Sequence, residues 1–384
     1  MSETDRRAAR PGSRTHDSPG ILLYGMYALR HLDRAPEVRI VAMTEALARQ
    51  VRTERIVGGR LGRAWASTLW LVRGGPRRVR AVYVESPTAS AMPTDLLFLA
   101  LMRLLRRPVG IYFRDAYQLF RDVHPRQRRT QFLTDWLWRL SHPLLKKVGT
   151  VHYAPTEGLA RALKLRNAVP LPPGTDPLLP DLGVGESDVV AAVVQPGART
   201  GFDRLVEAVA VVRETRSEAR LRIGVRRASL TGCEGLPEWV EMVPADEVTM
   251  TEVLRPGRVC VLPLPVNAYT QLAAPVRLLR FLSLGKPVVA TETDPTRAVL
   301  EESDAGVTTS DTAAGLASGI ARILGDDALA RRMARNARAF ASSEAQTWDA
   351  RATTVLDTLG VLSNKAGANA PEEPVALARA RSDR

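Results

Sequence analysis

Two arginines stand near the start of a short apolar helix that the sequence predicts after Pro275. Arg277 and Arg280 are three residues apart and therefore share one face of that helix. Proline is favoured where a helix begins, because its missing N–H is not needed there. Free N–H groups, the helix dipole and two guanidinium groups could together bind a phosphate or diphosphate. The same arginines could instead form an ordinary solvated face, and their spacing does not decide between the two.

A second candidate anion site follows a predicted buried strand at Asp188–Val194. The chain continues there as Gln-Pro-Gly-Ala-Arg-Thr-Gly, so that Gly197 and Gly201 flank Arg199 and Thr200. Two glycines allow a loop whose amides face an anion. A planar, bidentate guanidinium at Arg199 would add to such a site.

The third candidate is a carboxylate at the end of a predicted strand, Pro108–Phe113. Arg114 and Asp115 follow that strand directly, and open parallel sheets bind ligands at the carboxyl ends of their strands. Asp115 could also cap the helix that comes next, which is the more common role for an aspartate in this position.

The N-terminal stretch predicts the start of a doubly wound α/β domain. A strand at Ile21–Tyr24, a glycine at Gly25, a helix at Met26–Leu32 and a strand at Val38–Met43 follow one another. A tight turn at Gly25 would expose backbone N–H groups at the start of the following helix.

These candidates require two α/β domains, because the strand–helix pattern restarts after a segment rich in Pro, Gly and Asp. The predicted organisation comprises a tail (1–20), a first domain (21–175), a linker (176–187), a second domain (188–343), a crossover helix (344–362) and a second tail (363–384). Both tails lack apolar clusters and are expected to be disordered.

Composition indicates a soluble protein with an anionic partner. The 384 residues contain no apolar run long enough to span a bilayer, and two cysteines give neither a disulfide framework nor a metal-ligand spacing. The net charge is +13, and residues 1–180 carry 30 basic against 14 acidic groups. An anionic membrane surface or an acidic acceptor would suit this half; nucleic acid is not expected, because no binding motif accompanies the arginines.

Two segments combine tryptophan with basic residues, one with Trp65 and Trp70, the other with Trp136 and Trp138. Such segments can lie in a membrane interface. Tryptophans are more often part of a core, so core packing is the favoured interpretation for both. Their shared character keeps peripheral membrane association open.

The stretch around Pro275 resembles the donor-binding segment of GT-B glycosyltransferases, the large retaining group 1 family. The resemblance rests on Pro275-Val276-Arg277 as a helix start, on Gly285-Lys286-Pro287-Val288-Val289-Ala290 as the next strand entry, and on Thr347-Trp348-Asp349 as a crossover helix. It extends loosely over Ile21–Leu359. Where the family commonly has two glutamates, this chain has Leu272 and Arg280.

The resemblance implies two Rossmann-like domains facing across a cleft, with a C-terminal helix crossing back to the first. It implies a metal-independent transfer, with retention, from a UDP- or GDP-sugar to a glycan, lipid-linked or small-molecule acceptor, without a cofactor. Asp115 and Arg114 would act near the reacting sugar, and Tyr24 and Gly25 would line the interdomain cleft on the acceptor side. The implied donor-binding residues are Gly197, Arg199, Thr200, Thr270, Pro275, Val276, Arg277 and Arg280.

The missing glutamates support an alternative, a catalytically silent GT-B-like subunit that binds a partner glycosyltransferase. A sugar-nucleotide epimerase is less favoured, because no histidine or carboxylate cluster stands in the loops of the second domain. A cytoplasmic location, on the inner face of the cell membrane if the protein binds there, would fit all three.

Overall fold

The computed structural model of the chain describes residues 20–29, 35–124, 131–185, 188–197, 200–230, 235–245 and 249–362. These residues form two six-stranded sheets whose neighbouring strands pair in parallel, with helices between the strands. This architecture confirms the predicted pair of Rossmann-like doubly wound domains. The tails expected at 1–20 and 363–384 lie outside the described residues, except for Gly20.

The first domain has the strand order β2-β1-β3-β4-β5-β6. Its strands are β1 (Gly20–Gly25), β2 (Thr53–Val57), β3 (Val79–Glu85), β4 (Val109–Tyr112), β5 (Val151–Ala154) and β6 (Val169–Pro170). Its helices are α1 (Ala35–Gln50), α2 (Arg60–Val72), α3 (Gly75–Arg78), α4 (Pro93–Leu104), α5 (Gln131–Val148) and α6 (Glu157–Ala162). The order reverses between β1 and β3, so the loops leaving these strands diverge and open a crevice at their carboxyl ends.

The second domain has the order β12-β11-β10-β7-β8-β9. Its strands are β7 (Val189–Val193), β8 (Arg220–Val225), β9 (Val240–Pro244), β10 (Val259–Leu262), β11 (Val288–Thr291) and β12 (Gly306–Thr309). Its helices are α7 (Phe202–Arg213), α8 (Met250–Leu254), α9 (Val276–Ser283), α10 (Asp294–Ser303), α11 (Ala313–Gly325) and α12 (Asp327–Ser342). Here the order reverses between β7 and β10, and both candidate phosphate loops leave the sheet at this point.

The last helix, α13 (Trp348–Thr358), belongs to the core of the first domain. Its Leu356 packs with Ile21 and Tyr83 on the face of the first sheet that α1 also covers. Asp349 forms an ion pair of 2.7 Å with Arg49 of α1. This docking confirms the predicted crossover helix.

The opposite face of the first sheet is covered by a layer of helices. Buried side chains from α2, α4, α5 and α6 form one apolar cluster on that face, including Trp70, Phe98, Trp138 and Leu159. The two faces of the sheet are therefore covered differently, one by α1 and α13 and the other by this layer.

The predicted helix at Met26–Leu32 and strand at Val38–Met43 are wrong. Residues 26–29 form a loop, residues 30–34 lie outside the described ranges, and Val38–Met43 is part of the 16-residue helix α1. The buried Ile40, Met43 and Leu47 recur at helical spacing. A short apolar run cannot be assigned from its composition alone, and the helical period becomes visible only when the window extends to Leu47.

Candidate functional site

The loop after β7 is a tight turn held by glycines and a hydroxyl. Gly197 has φ of 139° and Gly201 has φ of 78°, in the region that favours glycine. The Thr200 hydroxyl donates to the Gly197 carbonyl over 2.6 Å. A Cβ on Gly201 would come within 1.7 Å of the Pro263 carbonyl oxygen, so this loop lies directly against the loop that follows β10. Arg199, the predicted phosphate ligand here, lies outside the described residues.

Arg277 in the first turn of α9 lies at the carboxyl end of β7. Its Nη1 donates to the carbonyl of Val193, the last residue of that strand, over 2.6 Å. Burial lowers the pKa of this guanidinium, and among the described residues no carboxylate forms an ion pair with it. The side chain is partly buried, so an ordinary solvated face does not describe it. It presents positive charge at the end of β7, the strand that leads into the Gly197 turn, without an acidic partner in the described part of the chain.

The remaining predicted donor residues of α9 surround that position. Pro275 is the residue before the helix, and no described side chain caps the helix start. Val276 follows with its side chain exposed. Arg280 is partly buried one turn further along. Backbone N–H groups, the positive helix end and a guanidinium thus meet at one place, where an anion would be stabilised.

Thr270 lies in the loop between β10 and α9, where its hydroxyl holds the loop in shape. The hydroxyl donates to the Pro265 carbonyl over 2.7 Å and accepts from the Asn267 amide over 3.0 Å. The amide of Thr270 in turn donates to the side chain of Asn267. The hydroxyl of Thr270 therefore has its hydrogen-bond partners within its own loop.

Asp115 lies where the two domains meet. Its Oδ1 accepts a hydrogen bond of 2.9 Å from the phenol of Tyr269, a residue of the second domain, and its Oδ2 accepts a longer one, of 3.4 Å, from Thr88. The short 3-10 turn at Tyr117–Leu119 has no side-chain cap, so the helix-cap alternative for Asp115 is wrong. Burial raises the pKa of this carboxyl, and the charge of Arg114 and the Tyr269 hydrogen bond act against that rise.

Tyr269 fills an aromatic pocket of the first domain, and sequence reasoning did not single it out. Its ring centroid lies 4.7 Å from that of His124, 4.9 Å from that of Tyr117 and 5.8 Å from that of Phe120. Aromatic pairs at such separations add to the stabilisation from burial. The loop before α9 is therefore docked onto the first domain. The only sequence signal that could have indicated this contact is the group of aromatic residues after Asp115.

Arg114 is held over a buried carboxylate at the end of β3. Its Nη2 lies 3.6 Å from Oε2 of Glu85, which has no exposed side-chain surface. The other oxygen of Glu85 accepts from Arg39 over 2.8 Å and from the phenol of Tyr83 over 2.7 Å. Burying a carboxylate is costly unless it is paired, and Arg39 and Arg114 supply that pairing for Glu85. This buried network positions Arg114 next to Asp115.

The structure places Tyr24 in the core of the first domain. The side chain is fully buried, stacks on Phe98 at 4.9 Å, and donates from its phenol to Asp95 over 2.7 Å. Arg63 binds the same carboxylate with two nitrogens. Gly25 ends β1 beside Val57, where an added Cβ would lie 2.7 Å from a methyl group. Tyr24 therefore offers no side-chain surface to a ligand.

Two further residues of the donor segment have structural contacts. Leu272, in the position where the family commonly has a glutamate, packs against Gly158 of the first domain, and its carbonyl accepts from Thr156 over 2.6 Å. Lys286 is fully buried and donates to the carbonyls of Arg255 and Gly257. Leu272 therefore contacts the first domain. Lys286 links the segment before β11 to the segment before β10.

The described ranges contain no group of three or more His, Cys, Asp or Glu side chains arranged to hold a metal ion. Cys260 is a free thiol buried in β10, and burial raises its pKa to about 12. Its reactivity is therefore low, because the thiolate is the reactive form.

Residues 189–326 of this chain match the family model described as Glycosyl transferases group 1. The matched span runs from β7 through α11 and includes the Gly197 turn, the docked loop and Arg277. No curated protein matches the sequence.

Solved structures share the fold over almost the whole chain. HepE from Anabaena in complex with UDP has a TM-score of 0.62 at 14% identity, covering 89% of this chain and 100% of that one. A glycosyltransferase from Rickettsia africae has a TM-score of 0.61 at 12% identity, covering 90% and 99%. Sucrose-phosphate synthase from Thermosynechococcus elongatus has a TM-score of 0.59 at 14% identity, covering 88% and 98%. At such identities the likeness establishes the common two-domain fold.

Proposed function

We propose that the protein transfers a sugar from a nucleotide-sugar to an acceptor, because residues 189–326 match the family model of group 1 glycosyl transferases and the chain shares its two-domain fold with a solved glycosyltransferase. The donor would be a UDP- or GDP-sugar. The acceptor would be a glycan, a lipid-linked sugar or a small molecule. HepE, a neighbour of the same fold, was solved with UDP, which favours a uridine nucleotide here.

The observation that carries the proposal is the position of Arg277. A buried guanidinium without a carboxylate partner is costly unless a ligand supplies the negative charge. Arg277 is partly buried, bound through one nitrogen to the Val193 carbonyl, and unpaired among the described residues. It lies at the strand-order reversal of the second sheet, where open α/β sheets bind their ligands. A nucleoside diphosphate would supply the missing charge.

In the proposed reaction, Arg277 and the start of α9 stabilise the diphosphate as the bond to the sugar breaks. Preorganised positive groups do this most effectively where water is excluded. Arg280, Gly197, Thr200 and Arg199 complete the proposed donor site. We propose that the transfer needs no bound metal and retains the anomeric configuration, as the family resemblance implies. The carboxylate of Asp115, which is held at the domain junction, would face the reacting sugar, with Arg114 beside it.

The alternative of a catalytically silent subunit rests on the two replaced glutamates. Leu272 is packed against the first domain, and Arg280 has only donor groups, so neither can accept a hydrogen bond from a ribose hydroxyl with its side chain. If ribose binding needs these carboxylates, the chain would bind a partner glycosyltransferase instead of a donor.

Isothermal titration of the full chain with UDP, GDP, UDP-glucose and GDP-mannose separates these functions. The transferase predicts binding of at least one of them, and Arg277→Ala should weaken that binding roughly 10- to 100-fold, the value of a charge-assisted hydrogen bond. Arg322→Ala is the matched control, because Arg322 is an exposed arginine of the same domain. Its affinity should equal that of the unmodified protein.

Two results would overturn the proposal. Absence of nucleotide binding would favour the silent subunit, and equal affinity of Arg277→Ala would place the diphosphate elsewhere. Transfer itself is tested by release of nucleoside diphosphate from the bound donor on adding monosaccharide, glycan or polyprenyl-linked acceptors. Asp115→Asn should abolish that release while leaving donor affinity within about twofold.

A further inference from the structure

The outward faces of α2, α4 and α5 expose large apolar side chains at helical spacing. On α5, Leu133, Trp136, Leu140 and Leu144 follow one another at intervals of three or four residues and are each at least 50% exposed. On α2, Leu61 is 86% exposed and Trp65 is 71% exposed. Single exposed leucines are normal on protein surfaces, but a repeated stripe on neighbouring helices is not.

Core packing cannot account for these stripes, because each helix already has a buried face. Trp70 of α2 and Trp138 of α5 are buried against the first sheet, whereas Trp65 and Trp136 point to the outside. Each tryptophan-bearing segment is thus divided, with one indole in the core and one on the surface. The favoured interpretation of core packing therefore holds for Trp70 and Trp138 and fails for Trp65 and Trp136.

The exposed side chains of these three helices include no carboxylate. Their only acidic residues, Asp95 and Asp135, are buried and paired with Arg63 and Arg121. Exposed basic residues frame the apolar stripes, with Arg60 and Arg73 at the ends of α2, Arg103 near the end of α4, and Arg139 and Lys147 on α5. The outer layer is therefore apolar in its middle and only positive at its edges.

We infer that the exposed side chains of α2, α4 and α5, here called the α2–α4–α5 face, bind the surface of an anionic lipid bilayer. Tryptophan and leucine would enter the boundary between headgroups and acyl chains, while arginine and lysine would bind lipid phosphates. The chemistry of the face favours a lipid surface, because an apolar stripe framed by positive charge and free of exposed carboxylates matches acyl chains bordered by anionic phosphates. Among the described helices none has the length and apolar character to cross a bilayer, so the binding would be peripheral.

The same geometry brings the domain junction close to the bilayer. Helices that connect parallel strands run back against them, so their N-termini lie at the edge where the strands end. Leu61 and Leu133, in the first turns of α2 and α5, therefore lie toward the edge that carries Asp115. A lipid-linked acceptor lying in the membrane would reach the junction from this side. This orientation rests on the proposed function, whereas lipid binding itself does not.

Vesicle sedimentation with the full chain tests the inference. We expect binding to vesicles of phosphatidylcholine with 30% phosphatidylglycerol at about 0.1 M NaCl, and at least tenfold weaker binding at about 0.5 M, where charges are screened within roughly 4–5 Å. Vesicles of phosphatidylcholine alone should bind much less. The double variant Trp65→Ser/Trp136→Ser should lose at least tenfold in affinity, and Leu178→Ser, a 92% exposed leucine outside the face, should not change it.

Brominated lipids give a second measurement that does not depend on a folding comparison. They should quench the fluorescence of the unmodified protein and of Trp70→Phe, but much less that of Trp65→Phe/Trp136→Phe. Arg139→Glu/Lys147→Glu should weaken anionic vesicle binding while leaving thermal unfolding unchanged, because both side chains are exposed on α5. The inference is wrong if binding ignores anionic lipid and salt, if the surface tryptophans are not quenched, or if the same serine variants instead dissolve a dimer in analytical ultracentrifugation.

Discussion

The phenol of Tyr269 donates a hydrogen bond of 2.9 Å to the carboxylate of Asp115, across 154 residues of sequence and from one domain to the other. Tyr269 precedes α9, which carries Arg277, in the same donor-side segment. The proposed catalytic carboxylate is thus positioned by the loop that leads to the proposed diphosphate site. A movement of this loop would therefore also move the hydrogen-bond donor of the Asp115 carboxylate.

Tyr269→Phe should weaken the docking of that loop on the first domain, while the phenyl ring still fills the aromatic pocket. Loss of a hydrogen bond to a buried carboxylate should lower the free energy of unfolding by about 1–3 kcal/mol. The pKa of Asp115 should rise further, because burial remains and one stabilising donor is gone. Urea denaturation and carboxyl NMR titration measure both effects. In an Asp115→Asn background the same substitution should cost clearly less; equal costs in both backgrounds would show that the two residues are not coupled.

Tyr24→Phe should affect stability and leave activity unchanged. The substitution removes the phenol that donates to the buried Asp95 and keeps the ring stacked on Phe98. We expect a loss of about 1–2 kcal/mol in denaturant unfolding. The kcat/KM for transfer should stay within about twofold, since the side chain lies in the core. A large fall in kcat/KM with unchanged stability would return Tyr24 to the acceptor site.

His142 should make the protein less stable as the pH falls from 6.5 toward 4. Burial between Trp138 and Phe113 lowers its pKa from 6.5 to about 4, and Lys146 and His152 contribute in the same direction. The unfolded chain therefore binds a proton in this interval that the folded chain does not. The free energy of unfolding should fall by about 3 kcal/mol from this residue.

Comparison with His142→Phe isolates the contribution of this histidine. The variant keeps an aromatic ring between Trp138 and Phe113 but cannot bind the proton. Its free energy of unfolding should decline less steeply than that of the unmodified protein between pH 6.5 and 4.5, measured in urea at each pH. Parallel curves would show that His142 is not the responsible group.

Leu272→Glu should separate the domains instead of restoring a sugar contact. The new carboxylate would lie against Gly158 and the apolar cluster of the first domain. We expect a loss of about 1–3 kcal/mol in the free energy of unfolding, from the removed apolar contact and the buried charge. Leu178→Glu, at an exposed leucine, should cost almost nothing. Tighter UDP-glucose binding by Leu272→Glu would instead support the family role for this position.

Sequence reasoning predicted the second domain well because its signals are local. Strands such as β10 are short apolar runs between turns, and α9 begins after a proline and ends before a glycine. Arg277 was selected because its charge and its position in the first turn of α9 are both readable from the sequence. Residue spacing could not predict the hydrogen bond from Arg277 to the Val193 carbonyl, because that bond depends on how α9 crosses the sheet.

The domain junction was less predictable, because its contacts join distant parts of the chain. Asp115 was selected for its place after β4, but the aspartate's partner, Tyr269, lies in a loop with no pattern of its own. The prediction for Tyr24 was wrong because it considered the position along the strand and not the face to which the side chain points. Its place at a strand end suggested a cleft, while alternation along β1 sends its side chain into the core.

The crossover helix α13 makes the first domain discontinuous in sequence. Its sheet face is completed by Leu356 and Leu359, more than 180 residues after β6, the last strand of that domain. During synthesis the ribosome would release the second domain before the first could close its core. The N-terminal portion would then hold its complete six-stranded sheet with one apolar face covered only in part, by α1, until α13 is made. A chain cut before Trp348 would leave the rest of that face open to solvent.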